Sequence, residues 1–102
     1  PIVGSDNNEK SPVQVFEHVY QTVIDRKNNP KEGSYTNYLF EQGQDKILKK
    51  IGEEATGIVI AAKNQNPEEL KSEMADFIYH AMVLMIEKGI TWEDVTNQLL
   101  QK

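Results

Sequence analysis

Apolar residues in this chain recur every three or four positions and nowhere alternate with polar ones, so the pattern predicts helices throughout and no strand. Val13, Phe16, Val19, Tyr20 and Val23 mark the first stripe, which runs to about Arg26. Ser11-Pro12-Val13-Gln14 introduces it with an N-cap serine, a proline at the first helical position and a glutamine placed for a capping box. Residues 28–33 read as a loop, and Ser34 caps a short helix from Tyr35 to Gln42 that ends at Gly43. The next helix, about Gln44 to Lys63, carries Ile47, Ile51, Ala55, Ile58 and Ala62 on its expected inner face. Asn66-Pro67-Glu68-Glu69 repeats the start signal, and a long helix follows to Lys88 with Gly89 just past its end. Thr91-Trp92-Glu93-Asp94 opens the last helix, with acids where the helix dipole favours them. The expected fold is all-α, a bundle of four to five helices spanning 11–102, preceded by a loose polar segment over 1–10.

The long helix is apolar on several sides: Phe77, Ile78, Ala81 and Leu84 on one, Met82, Val83 and Ile86 on others. A chain of 102 residues buries only roughly two-thirds of its unfolded surface when it folds alone. The extra apolar area therefore predicts a homodimer that completes the bundle. Met74, Met82 and Met85 read as core filler, and Trp92 as a packing residue at the start of the last helix.

Charge narrows the function. A net charge of −5 argues against nucleic acid and anionic membranes as partners. No run of about 18 apolar residues offers a spanning helix. Residues 1–6 lack the charged and apolar regions of a signal peptide, so the cytoplasm is the expected compartment. With no cysteine, any metal ligands are carboxylates or histidine.

Two acidic clusters stand out on consecutive helices: Glu53 with Glu54, and Glu73 with Asp76. With Ile51 at the centre of its helix's core face, Glu54 falls about 60° to one side and Gly57 about 120°, while Glu53 lies nearly opposite. With Leu70 as centre on the next helix, Glu73 falls about 60° to one side, His80 about 80° and Asp76 about 120°. Glu54, Glu73 and Asp76 thus occupy edges that two antiparallel helices bring together. Carboxylates gathered in this way repel unless a cation lies between them, and Mg²⁺ held by carboxylates keeps positions free for phosphate oxygens. Lys46, Lys49 and Lys50, one turn earlier, are candidates to meet phosphate; their plainer reading pairs Lys49 with Glu53 and Lys50 with Glu54. His80 is a candidate contact for phosphate or base, against a packing role. Tyr35, Tyr38 and Phe40 suit either stacking on a purine or a core.

In combination, Ser34-Tyr35-Thr36, then Lys49-Lys50-Ile51-Gly52-Glu53-Glu54-Ala55, and Asp76 followed by Tyr79-His80 closely resemble the phosphoribosyl-ATP pyrophosphatases. These form the histidine-pathway branch of the all-α, MazG-like nucleotide pyrophosphohydrolases, and the resemblance covers about residues 13–102. It implies Mg²⁺-dependent hydrolysis of phosphoribosyl-ATP to phosphoribosyl-AMP and pyrophosphate. It also implies fusion to, or association with, a phosphoribosyl-AMP cyclohydrolase. The family pattern is ExxE on one helix and ExxD on the next. Glu54 matches the first position and Glu73 with Asp76 the second pair, with Glu53 as an additional acid, so these four are the implied metal ligands and catalytic residues. Lys46, Lys49, Lys50 and His80 are the implied substrate contacts. One position departs: the second glutamate of ExxE is Gly57 here. Three readings stay open: substitution by Glu53 or water, a smaller ligand set, or a weak or inactive helical dimer. A house-cleaning pyrophosphohydrolase of the same fold is the nearest rival in substrate.

Overall fold

A computed structural model of the chain describes residues 10–102. The expected loose segment over 1–10 lies, but for Lys10, outside the described residues. Five helices follow one another: α1 (Pro12–Asn28), α2 (Tyr35–Gln42), α3 (Gln44–Lys63), α4 (Pro67–Lys88) and α5 (Trp92–Leu100). No strand occurs among the described residues, and the all-α expectation holds.

The capping residues set the boundaries. Ser11 and Gln14 form a reciprocal capping box at α1, as Thr91 and Asp94 do at α5. Asn66 accepts a hydrogen bond from the Glu69 backbone N–H at the start of α4. α4 ends at Gly89, whose φ of 73° is left-handed and lets the Ile90 N–H reach the Met85 carbonyl at 2.8 Å. α1 runs two residues past the expected Arg26, to Asn28. Between α1 and α2, Asn37 fastens the loop at both ends: its Nδ2 donates to the Arg26 carbonyl at 2.6 Å, and its Oδ1 accepts from the Lys31 N–H at 2.8 Å.

Val23, Leu39, Ile47 and Val83, one each from α1 to α4, form the buried centre, flanked by Val19, Phe40, Ile51, Tyr79, Leu84 and Ile86. Each such side chain contributes roughly 1.5–3 kcal/mol by leaving water. Lys27 on α1 meets Glu87 on α4 at 3.0 Å, a solvated pair that orients more than it stabilises. Met82 and Met85 are buried as expected, whereas Met74 is largely exposed because it lies on the outer side of α4.

α3 and α4 pack as an antiparallel pair: Glu54 meets His80, and further along α3 Gly57 meets Glu73, lower on α4. Along α3 the fully buried positions are Ile47, Glu54 and Ala61, with Ile51 and Ile58 half-buried between them. A spacing of seven residues follows the 3.5-residue seam of interlocking helices rather than the 3.6-residue period of an isolated one. Ala55 and Ala62, expected inside, are therefore exposed, and a glutamate takes a place in the seam.

Candidate active site

The seam between α3 and α4 is interrupted by polar side chains. Glu54 is only 7% exposed and His80 only 4%. His80 Nδ1 lies 2.8 Å from Glu54 Oε1 and 2.9 Å from the Asp76 carbonyl oxygen. A carbonyl only accepts, so Nδ1 carries the hydrogen and shares it between the two oxygens. Nε2 is then the acceptor of the neutral ring, and the Tyr35 hydroxyl donates to it at 2.9 Å. The result is a directed chain from α2 to α3 through α4: Tyr35 to His80 to Glu54.

The surroundings hold this chain in place. Tyr35 stacks on Tyr79 at 6.2 Å between ring centroids, and His80 stands edge-on to both rings. Tyr79 is anchored by a hydrogen bond with the Thr36 hydroxyl. Burial pushes the Glu54 carboxyl above the ordinary glutamate value; His80 and Lys50 oppose the rise, and the negative charge of Asp76 adds to it. Burial also raises the Tyr35 hydroxyl, against the opposing charge of Lys50, which keeps it a proton donor at neutral pH.

Glu73 approaches from α4 at the next turn of the seam. Its carboxylate lies over the bare Cα of Gly57: a Cβ there would sit 2.5 to 2.8 Å from the carboxylate carbon and oxygens. Asp76 lies on the same helix one turn before His80, exposed at the mouth of the seam. Three of the four expected acids, Glu54, Glu73 and Asp76, thus lie along the seam. Glu53 is not among them: it is on the exposed side of α3, 3.7 Å from Lys50 Nζ. That contact differs from the expected partnering of Lys50 with Glu54, because Glu54 has turned inward to His80. Lys46 Nζ stands 5.8 Å from the centre of the Tyr38 ring, and Lys49 is exposed. His80, a candidate substrate contact, spends both ring nitrogens on protein groups and lies behind Glu54 rather than in the open.

Among the described residues no three carboxylates or histidines are drawn together tightly enough to form a ready cation site. The donor chemistry nonetheless suits a hard divalent ion. The free donors along the seam are carboxylate oxygens, and Asp76 stands close enough to Glu54 for their like charges to oppose ionisation. A cation between them would reverse that repulsion.

The comparisons with known proteins settle the kinship. The family model described as phosphoribosyl-ATP pyrophosphohydrolase matches residues 16–102. The chain belongs to this family. A phosphoribosyl-ATP pyrophosphatase of Clostridium novyi is 55% identical over 87 residues, covering 85% of this chain and 79% of the relative. That of Limosilactobacillus fermentum is also 55% identical over 87 residues, with 85% and 82% covered. A histidine biosynthesis bifunctional protein of Caldanaerobacter subterraneus, HisIE, is 52% identical over 94 residues, 92% of this chain but 46% of the relative. The residues that sequence reasoning undervalued are Tyr35 and His80: their side chains orient a carboxylate, and no local spacing links positions 45 and 26 residues apart.

Proposed function

We propose that the chain hydrolyses phosphoribosyl-ATP to phosphoribosyl-AMP and pyrophosphate, an early step of histidine biosynthesis, as a cytoplasmic Mg²⁺-dependent homodimer. The observation that carries this reading is the run of acids Glu54, Glu73 and Asp76 along one seam of a chain of this family. Water adds to the α-phosphorus and gives up a proton to solvent, the bond from that phosphorus to the α–β bridging oxygen breaks, and pyrophosphate leaves with the electron pair. Glu54, Glu73 and Asp76 would hold Mg²⁺, which supplies charge neutralisation on the polyphosphate and polarisation of the phosphorus. Tyr35 and His80 hold the Glu54 carboxylate in a fixed rotamer, so little reordering is needed on binding. Lys50, with Lys46 and Lys49 on the same face region, offers positive charge to phosphate oxygens.

Dimerisation rests on the apolar surface left around α1. Val13 is 74% exposed and Phe16 41%. Phe16 borders two clefts: one of about 390 Å³ with Val13 and Trp92, and one of about 380 Å³ with Val15, Ala75 and Ile78. So much contiguous apolar lining marks an interaction face, and a second copy is the occupant that covers it. Relatives named bifunctional in histidine biosynthesis, of which the chain spans about half, support fusion to or association with the cyclohydrolase.

Pyrophosphate release from phosphoribosyl-ATP, dUTP and ATP, with and without Mg²⁺, tests the assignment. Mg²⁺-dependent release from phosphoribosyl-ATP in strong preference is the expected result. Preference for dUTP or ATP would move the chain to the house-cleaning branch.

A further inference from the structure

Three aromatic side chains belong to α2, and the hydrolysis proposed above uses only Tyr35. Phe40 flanks the core. Tyr38, like Tyr35, keeps more than two-fifths of its surface in solvent, at 41%. The two rings stack at 6.1 Å between centroids, and Tyr35 continues the ladder inward to Tyr79 at 6.2 Å, both at 26° between planes. At the outer end of this ladder lies a cavity of about 560 Å³, with Glu32, Ser34, Tyr35, Tyr38 and Glu41 in its lining.

Across from α2, α3 carries Glu54, Lys50 and Lys46 at intervals of four residues, so the three share one edge. Tyr35 reaches the acidic end of that edge through His80. Lys50 stands near enough to act by its charge on both the Tyr35 hydroxyl and the Glu54 carboxyl. Lys46 Nζ, at the far end, lies 5.8 Å over the Tyr38 ring. The edge thus runs from carboxylate to two lysines on α3, matched by Tyr35 and then Tyr38 on α2.

We propose that Tyr38 is a specificity-determining residue: with Tyr35 it forms the platform on which the substrate's purine stacks, and Lys46 beside it meets the phosphate of the ribose on N1. The proposal rests on the phosphoribosyl-ATP reading above and names the residues that distinguish this substrate from ATP. The purine of phosphoribosyl-ATP lies between two anionic ends, a triphosphate reached through the ribose on N9 and a single phosphate reached through the ribose on N1. With the triphosphate held at Glu54 and Lys50, the base falls beside the tyrosines and the second phosphate beyond it, toward Lys46. Substitution at N1 makes the purine basic enough to carry positive charge at neutral pH. Electron-rich tyrosine faces suit such a ring, as the ammonium over Tyr38 already shows. Glu32 and Glu41 make the cavity hospitable to that charge and to sugar hydroxyls, and a poor place for phosphate.

Calorimetric binding of phosphoribosyl-AMP and of AMP to the full chain tests the platform without turnover, beside kcat and KM for phosphoribosyl-ATP and thermal unfolding of each variant. Tyr38→Ala is expected to weaken phosphoribosyl-AMP binding about tenfold or more. KM should rise with it while kcat stays within about threefold, as when binding common to ground and transition states is lost. Tyr38→Phe, which keeps the ring, should stay within about threefold of wild type on every readout. Lys46→Ala should weaken phosphoribosyl-AMP about fivefold or more and AMP, which lacks the second phosphate, less than about twofold. A folded Tyr38→Ala chain with wild-type binding and KM, or a wild-type chain with no affinity for phosphoribosyl-AMP, would overturn the platform. A Lys46→Ala chain that loses both nucleotides equally would overturn the role given to Lys46. A wild-type chain that binds phosphoribosyl-AMP through Tyr38 yet releases no pyrophosphate from phosphoribosyl-ATP would overturn the hydrolysis and not the platform.

Discussion

Replacing His80 with alanine is the sharpest test of how the seam is held together. The ring is 4% exposed and donates to Glu54 at 2.8 Å, so its removal leaves a 7%-exposed carboxylate without its principal partner. Leaving a buried acceptor without its hydrogen-bond donor costs about 1–3 kcal/mol, towards or beyond the upper end for a charged group. Tyr35 adds little, because it is 45% exposed and its hydroxyl can turn to water. The upper end, about 3 kcal/mol, is therefore expected, because the group left without its donor is a carboxyl only 7% exposed. For a domain of this size that corresponds to a fall in Tm of roughly 12–24 °C. Urea unfolding at one fixed protein concentration keeps any contribution of assembly comparable between the variants. Glu54→Gln should be milder, since a neutral amide is cheaper to bury, and the double variant should fall short of additivity by about 1–3 kcal/mol. A loss below about 1 kcal/mol for His80→Ala, or strict additivity, would mean that Glu54 does not depend on the ring and that the Tyr35–His80–Glu54 chain is incidental.

Other consequences follow from the same geometry. Because burial raises the folded-state pKa of Glu54, the folded chain binds more protons than the unfolded one just above the ordinary glutamate value. Stability should decline as pH rises through that raised pKa, and Glu54→Gln should remove that part of the slope; a wild-type curve rising through the same window with no Glu54 contribution contradicts it. Phe16→Glu places a charge between the two apolar clefts and should shift the sedimentation of the full chain from dimer to monomer; an unchanged dimer would place the interface elsewhere. Gly89→Ala forces a Cβ into left-handed backbone at a φ of 73° and should cost about 1–2 kcal/mol in urea unfolding, with a neutral result refuting the strain.

The sequence reveals the helices more fully than it reveals the site. Ser11, Asn66, Gly89 and Thr91 each carry a capping signal whose chemistry is local, so the start of α1, both ends of α4 and the start of α5 are legible without any tertiary knowledge. The seam is less legible because two helices that interlock shift from a 3.6- to a 3.5-residue repeat. That shift moves the buried set from Ala55 and Ala62 to Glu54 and Ala61. A glutamate between apolar neighbours reads as a surface residue until its partner is known, and His80 stands 26 residues away. Glu53 shows the opposite case: the angular construction already turned it from the core, and only the family pattern drew it toward the metal set.

In the proposed function the acids of the α3–α4 seam perform the hydrolysis. The most direct measurement is Mg²⁺-dependent pyrophosphate release from phosphoribosyl-ATP by wild type and by Asp76→Ala, with circular dichroism confirming equal helicity. Asp76 is exposed and is not part of the core, so its loss should leave the fold intact while turnover falls by at least a hundredfold, about 2.7 kcal/mol of transition-state stabilisation. A folded Asp76→Ala chain that releases pyrophosphate at the wild-type rate would mean that the seam acids do not carry the hydrolysis.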